Sequence, residues 1–223
     1  MSHQAGDRAW FEQVCKYREE VLYPKLFGGK RRGRFALTPE LFQENFAQAS
    51  YDPRWLHGGV FEFVPTGGRR SWLYSTSGLS NDWESDLPDA TTPSGLGCEF
   101  ILETPEQAPW AIERLLDAMA LQLLICADRL PGQSELGDFD VIPLRASIRP
   151  APSQLTCLML GPPRHAPSEA SLVSGRFDFH QVVGISQAEA AYARSHGGPA
   201  LLSLLEAARA YPLTDPGRAE VWH

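Results

Sequence analysis

The chain has 223 residues, and its 20 Lys and Arg against 27 Asp and Glu give a net charge of −7 with histidine neutral. This balance argues against general nucleic-acid binding, which relies on an excess of cations. A hydrophobic content of 43% and a charged content of 21% are ordinary for a globular protein and exclude a disordered chain. The 19 glycines and 18 prolines exceed what a helical bundle tolerates, so many turns are expected.

Targeting signals are absent from the sequence pattern. Residues 1–8 lack the apolar core of a signal peptide, and no later stretch approaches the roughly 20 apolar residues that span a bilayer. We therefore expect a cytoplasmic protein that makes no membrane contact. Cys15, Cys98, Cys126 and Cys157 are widely spaced among apolar neighbours, unlike zinc ligands or a disulfide scaffold, and are expected to be buried free thiols.

The first part of the chain predicts two helices and a basic loop. Apolar residues at three- and four-residue steps indicate an amphipathic helix over 7–22, which Pro24 is expected to end. Residues 25–34 follow as a basic, glycine-rich loop. Thr38 as N-cap and Pro39 at the first helical position indicate a short second helix.

The middle of the chain predicts a hairpin, a long loop and a long helix. Aromatic and β-branched residues indicate strands over 59–64 and 71–76, joined by a turn. A polar loop over 77–97 precedes a strand over 98–103, and a loop of this length is often functional. Apolar residues at helical spacing predict the longest helix over 109–130.

The last part of the chain predicts three strands and two helices. The strand candidates are 139–148, 155–160 and 175–185. The helices are 186–195, opened by a capping box of Ser186 and Glu189, and 199–210, opened by Pro199.

Strands and helices intersperse without a regular βαβα alternation, which favours an α+β fold over a doubly wound one. We expect a mixed, largely antiparallel sheet flanked by helices. The sequence has no internal repeat and no low-complexity linker, so residues 1–34, with the first helix and the basic loop, are assigned to the same domain as residues 35–223.

Signatures of catalysis and of metal binding are not met in the sequence. The six histidines have no short-spaced partner, there is no Gly-x-Ser-x-Gly elbow, and the glycines at 28 and 29 do not form a phosphate-binding loop. We therefore predict no catalytic residue, no metal site and no cofactor. The alternative to a binding protein is a hydrolase that uses Cys98 or loop carboxylates, although Cys98 starts an apolar strand and is more typical of a core thiol.

Two charged segments are candidates for recognition. The basic segment 25–34 contains Lys30, Arg31, Arg32 and Arg34, which could bind an anion or an acidic protein surface; a solvated loop is the alternative. A nucleic-acid adaptor acting through these four cations is a weaker possibility.

The acidic segment 81–89 is the second candidate. Its carboxylates include Asp82, Glu84 and Asp86, and they surround Trp83. General acid–base chemistry would need a buried carboxyl group, which a polar loop does not provide. A partner-binding loop with Trp83 as its aromatic anchor fits better, and a plain solvated loop is the alternative.

Several motifs together resemble the suppressor of fused family. The amino-terminal ones are Trp72-Leu73-Tyr74-Ser75-Thr76-Ser77-Gly78-Leu79-Ser80, then Pro93-Ser94-Gly95-Leu96-Gly97-Cys98-Glu99-Phe100, then Pro109-Trp110 at the start of the long helix. The carboxyl-terminal ones are Val182-Val183-Gly184-Ile185-Ser186, Glu189, Tyr192-Ala193, Gly197, Leu201-Leu202 and Thr214-Asp215-Pro216-x-Arg218. The resemblance extends over residues 35–221.

This resemblance implies an α+β domain that binds proteins and has no catalytic role. The second, carboxyl-terminal domain of the animal proteins has no counterpart here, and the resemblance to bacterial members implies an immunity protein that binds and neutralises a toxin. It places the partner-contacting aromatic on Tyr74 and the acidic loop on residues 82–89. The sequence departs from the family at Cys98, where an aromatic is usual, and at Asn81, where an acidic residue is common.

Overall fold

One eight-stranded sheet organises the computed structural model of the chain, which describes residues 3–29, 31–83 and 91–221. The strands are β1 (Arg31–Ala36), β2 (Gly59–Phe63), β3 (Trp72–Ser77), β4 (Pro93–Thr104), β5 (Val141–Pro143), β6 (Leu155–Gly161), β7 (Glu169–Leu172) and β8 (Gly175–Ser186). Their order is β1-β2-β3-β4-β8-β6-β5, and β7 also pairs with β8. Only the β4–β8 pairing is parallel among these described strands. The predicted α+β fold with a mixed, largely antiparallel sheet is confirmed.

The helices lie before, between and after the strands. They are α1 (His3–Tyr17), a π-helical segment (Arg18–Leu22), α2 (Tyr23–Phe27), α3 (Pro39–Phe46), a 3₁₀ turn (Pro53–His57), α4 (Pro109–Cys126), α5 (Gln187–His196) and α6 (Gly198–Ala207). Two sequence-predicted helix starts are confirmed by their caps. Thr38 accepts a hydrogen bond from the backbone of Leu41, and Ser186 and Glu189 form the capping box of α5.

Alternation of side chains along the strands divides the core between the two faces of the sheet. On one face, Phe100 and Leu102 of β4 pack with Leu115 and Met119 of α4. On the other face, α1 and α2 cover the β2–β3 side, whereas α5 and α6 cover the β6–β8 side. The chain therefore forms three layers, with the sheet in the middle.

The first helix continues past the proline that was expected to end it. The backbone N–H of Tyr23 bonds to the carbonyl of Arg18, which is the wider π-helical spacing. Pro24 consequently occupies the first turn of α2, where its missing N–H costs little. The helical run ends at Phe27, and Gly28 follows at a φ of +104°.

The predicted basic loop over 25–34 is wrong in part, because residues 25–27 belong to α2 and residues from Arg31 onward form strand β1. Pairing with β2 satisfies the backbone hydrogen-bonding groups along one edge of this segment, and this outweighs the low strand propensity of its arginines and glycine. Strand β7 was not predicted either. The strand expected over 139–148 is regular only at Val141–Pro143, and β4 begins earlier than expected, at Pro93.

All four cysteines are free thiols. Cys98 and Cys157 are buried as expected, whereas Cys15 and Cys126 are only partly buried.

Candidate partner-binding site

A buried arginine contacts Asn81, the first residue of the acidic segment. Arg18 belongs to the π-helical segment, and its side chain is 0% exposed. Its guanidinium donates hydrogen bonds to three side-chain oxygens, Ser77 Oγ at 3.1 Å, Ser80 Oγ at 2.8 Å and Asn81 Oδ1 at 2.7 Å. Burial by itself lowers the pKa of Arg18, but the Glu99 carboxylate at 3.7 Å and other neighbours raise the pKa above its ordinary value. Arg18 is therefore a permanent buried cation.

The Glu99 carboxylate is also fully buried, and its hydrogen bonds hold the end of β3 and the start of the β3–β4 connection. One oxygen accepts hydrogen bonds from the Gly78 N–H at 2.8 Å and from the N–H and hydroxyl of Ser80 at 3.0 and 2.7 Å. The other oxygen accepts from the Thr76 hydroxyl at 2.5 Å. A buried charge is tolerated when it is paired and its lone pairs are satisfied. We call Arg18, Ser77, Ser80, Asn81 and Glu99 the Arg18 network.

The two glycine-rich motifs that carried the resemblance meet at this network. The Ser94 hydroxyl donates to the Ser80 carbonyl at 2.9 Å. Gly95 has a φ of +57°, and a Cβ there would lie 2.4 Å from the Asn81 carbonyl oxygen. Only glycine fits such a position without a shift of the backbone. The motifs thus fix the course of the chain up to the first residue of the acidic segment.

Asp82 and Trp83 come directly after this fixed stretch, and both are half-buried. The Trp83 ring stacks on Phe11 of α1, with ring centroids 3.8 Å apart and planes at 24°. His57 lies 5.6 Å from the same ring, and the Arg54 guanidinium lies 5.8 Å from it. We call Phe11, Arg54, His57 and Trp83 the Trp83 cluster. It attaches the start of the acidic segment to α1 and to the 3₁₀ turn.

The remaining acidic candidates, Glu84 and Asp86, lie outside the described residues, as does Asp89.

Tyr74 occupies a different environment from the one the resemblance implied. Its side chain is 0% exposed in the core on the α4 face, and its hydroxyl accepts a hydrogen bond from the Ala108 N–H at 2.7 Å. Burial is the largest cause of the raised pKa of this phenol. Tyr74 thus fastens the start of α4 to the sheet, and its side chain lies in the core.

The basic candidates lie on the edge strand of the sheet. Arg31, Arg32 and Arg34 are all exposed on β1. The Arg31 guanidinium lies 4.8 Å from the centre of the Phe61 ring, and Arg32 Nε lies 3.5 Å from Glu62 Oε1. Lys30, the fourth predicted cation, is outside the described residues.

The alternative nucleophile does not have the properties of a reactive thiol. Cys98 is 5% exposed, and burial followed by the charge of Glu99 raises its pKa well above the ordinary value. Reactive cysteines need the opposite, an accessible and electropositive setting. Among the described residues, no three His, Cys, Asp or Glu side chains are grouped as a metal would require. Within the same ranges, no helix is long and apolar enough to cross a membrane.

A second buried ion pair, which sequence reasoning missed, fastens the carboxyl-terminal segment to α5. Two nitrogens of Arg218 each lie 2.6 Å from an oxygen of Glu189, and the Val221 N–H donates to the same carboxylate at 2.8 Å. Burial raises the pKa of Glu189, but these hydrogen bonds outweigh it and lower the pKa overall. The capping box pointed to Glu189 in the sequence, whereas the only signal for Arg218 was that it belongs to a family motif.

The fold and the site define a class of protein: an α+β domain with one mixed sheet between two layers of helices, and with a buried Arg–Glu pair that holds the start of the β3–β4 connection. The family model described as Suppressor of fused protein (SUFU) matches residues 55–219, which is more than half of the chain. The chain belongs to the suppressor of fused family, as the resemblance indicated.

Solved structures share the fold at low sequence identity. The Sufu–Fu complex crystal structure matches with a TM-score of 0.63 and 18% identity, over 97% of this chain and 92% of that one. The SUFU homologue from Neisseria gonorrhoeae FA 1090 matches with a TM-score of 0.59 and 19% identity, over 93% of this chain and 98% of that one. Drosophila Suppressor of Fused matches with a TM-score of 0.55 and 18% identity, over 74% of this chain and 42% of that one. No curated protein sequence matches the chain.

Proposed function

We propose that this chain is a non-enzymatic, cytoplasmic protein-binding module of a bacterium, and that it is an immunity protein that binds and neutralises a toxin. The observation that carries the proposal is the pairing of the Arg18 network with the Trp83 cluster. Together they hold residues 78–83 in one backbone conformation, so the start of the acidic segment is fixed in place. Such preorganisation lowers the ordering cost of binding.

Charge supports a basic target for this segment. The acidic segment contains Asp82, Glu84 and Asp86 within a chain of net charge −7. A concentration of negative charge accelerates encounter with a cationic partner and disfavours acidic competitors. A toxin domain that binds nucleic acid has the complementary basic surface. Trp83, half-buried at the foot of the segment, supplies the aromatic contact area that interface centres favour.

The relatives support a protein partner and a small binding unit. The matching Sufu structure is a complex with Fu, so that protein presents this fold to another protein. The Neisseria gonorrhoeae homologue is covered over 98% of its length, so a bacterial chain of nearly this extent carries the same fold. We extend protein binding to this chain on that basis, and the toxin on the basis of charge.

The proposal is tested in the native host with an affinity-tagged chain. Wild-type protein should co-purify with the product of a neighbouring gene that encodes a toxin domain, and co-expression should restore growth of cells producing that toxin. Trp83→Ala, and Asp82→Lys combined with Asp86→Lys, should each reduce recovery and protection. Arg209→Glu is the matched control, because Arg209 is exposed beyond α6, which packs over β6 and β8 and not over β3.

The outcomes separate the two parts of the proposal. Full recovery of the partner by both acidic-segment variants would remove this surface from the account. A partner recovered at wild-type level that has no toxic activity would leave protein binding in place and overturn the immunity role.

A further inference from the structure

Strand β1 leaves one of its edges open among the residues that the structure describes. It pairs with β2 on one side, from Arg31 opposite Phe63 to Ala36 opposite Gly59, and stands first in the strand order. All six of its residues are exposed. An edge of this length is a template on which another strand can add.

The register identifies which backbone groups an added strand would meet. The Leu37 N–H donates to the Gly58 carbonyl at 3.0 Å, so Leu37 and every second residue before it direct their backbone N–H and C=O groups toward β2. Arg34 and Ala36 are the residues in between, opposite Phe61 and Gly59. Their N–H and C=O groups therefore point away from β2, toward the open edge.

Cations flank this edge on both faces of the sheet. In the paired register, Arg31 and Arg34 share a face with Phe63 and Phe61, whereas Arg32 shares the opposite face with Glu62. The contact of Arg32 with the buried Glu62 carboxylate leaves its own side chain 57% exposed. Acidic side chains on either face of an added strand would thus find a guanidinium.

We propose that β1 binds an extended acidic segment of a partner protein by strand addition, with backbone hydrogen bonds to Arg34 and Ala36 and ion pairs to the β1 arginines. Main-chain pairing supplies affinity in this mode of recognition, and side chains supply selectivity. A second copy of this chain is the poorer occupant, because β1 against β1 would bring two sets of arginines close together, and like charges repel. The proposal concerns the edge of β1 and does not depend on the function of the acidic segment.

The test uses full-length protein and a short fluorescein-labelled peptide of alternating Glu and Thr, followed by fluorescence anisotropy. Alternating residues of a strand share one face, so the Glu side chains can meet Arg31 and Arg34 together. We expect saturable binding that weakens as salt is added. Arg34→Glu should reduce affinity about tenfold or more, whereas Arg209→Glu, at an exposed site far from β1, should leave affinity within about twofold.

Backbone pairing is tested apart from charge by two further measurements. Ala36→Pro removes one outward N–H but keeps every arginine, and proline is tolerated on the open side of an edge strand. This variant, and a peptide N-methylated at alternate residues, should each bind at least about tenfold more weakly. Circular dichroism of Ala36→Pro and of Arg34→Glu checks that neither variant has a folding defect.

Three results would overturn the proposal. The first is absence of binding of the Glu–Thr peptide at low salt. The second is equal affinity for the N-methylated peptide, which would reduce β1 to a non-specific cationic surface. The third is concentration-dependent dimerisation of the chain that Ala36→Pro abolishes, which would make a second copy the occupant.

Discussion

Replacement of Arg18 by methionine should destabilise the protein severely without changing the volume of the core greatly. The variant loses three hydrogen bonds, to Ser77, Ser80 and Asn81, at about 1 kcal/mol each. It also leaves the Glu99 carboxylate buried without its cation, although the four hydrogen bonds from Gly78, Ser80 and Thr76 remain. Removal of one partner of a buried ion pair typically costs about 3–5 kcal/mol, and we expect a loss in that range.

Denaturant unfolding followed by tryptophan fluorescence measures this loss. Glu99→Gln should also destabilise, and the double variant should lose less than the sum of the two single variants, since the cycle isolates their coupling. Arg209→Met is the control at an exposed arginine and should stay within about 0.5 kcal/mol of wild type. An Arg18→Met variant as stable as this control would refute the view that the Arg18 network holds the site.

Three further predictions concern other parts of the chain. The pKa of Glu189 is lowered in the folded state, so its ionised carboxylate stabilises the protein above the ordinary pKa of 4.5. This stabilisation is lost as the pH falls through the lower folded pKa. The free energy of unfolding of Arg218→Met should not show this acid-dependent loss. Gly95→Ala should lower the free energy of unfolding in urea by about 1–3 kcal/mol, because residue 95 has a positive φ and the new Cβ would lie 2.4 Å from a carbonyl oxygen. Gly67→Ala, with open space around it, should be neutral or slightly stabilising. Cys98 should react with a thiol reagent only after unfolding, as mass spectrometry of labelled peptides would show, and rapid labelling in the native protein would contradict its burial.

The fold was largely predictable because its strongest elements follow local rules. The apolar stripe of α4, the capping box of α5 and the strands on either side of the 64–71 turn depend on residues close together in sequence. Strand β1 escaped prediction because its arginines and glycine lack strand propensity, and pairing with β2 decides its conformation. The continuation of the first helix through Pro24 depends on a local π-helical widening that periodicity does not reveal.

The candidate site was predictable only as a set of motifs. Glycines and serines at 77–80 and 94–97 indicated turns and a family, but not that Arg18, from a helix 62 residues before Ser80, completes their network. A charged residue on an amphipathic helix is expected to face solvent, and its burial depends on a carboxylate supplied by β4. The burial of Tyr74 was also not evident from the sequence, because side-chain alternation in β3 and the position of α4 decide which aromatic residues are buried.

The most direct test of the account is the affinity of the purified chain for the partner recovered from the native host, measured by isothermal titration calorimetry. Wild-type protein should bind with one-to-one stoichiometry. Trp83→Ala should lose about 2 kcal/mol or more of binding free energy, as truncation of a tryptophan at an interface centre does. An affinity of Trp83→Ala equal to that of wild type, with Arg209→Glu also unchanged, would contradict the claim that this protein recognises its partner through the Trp83 cluster and the acidic segment.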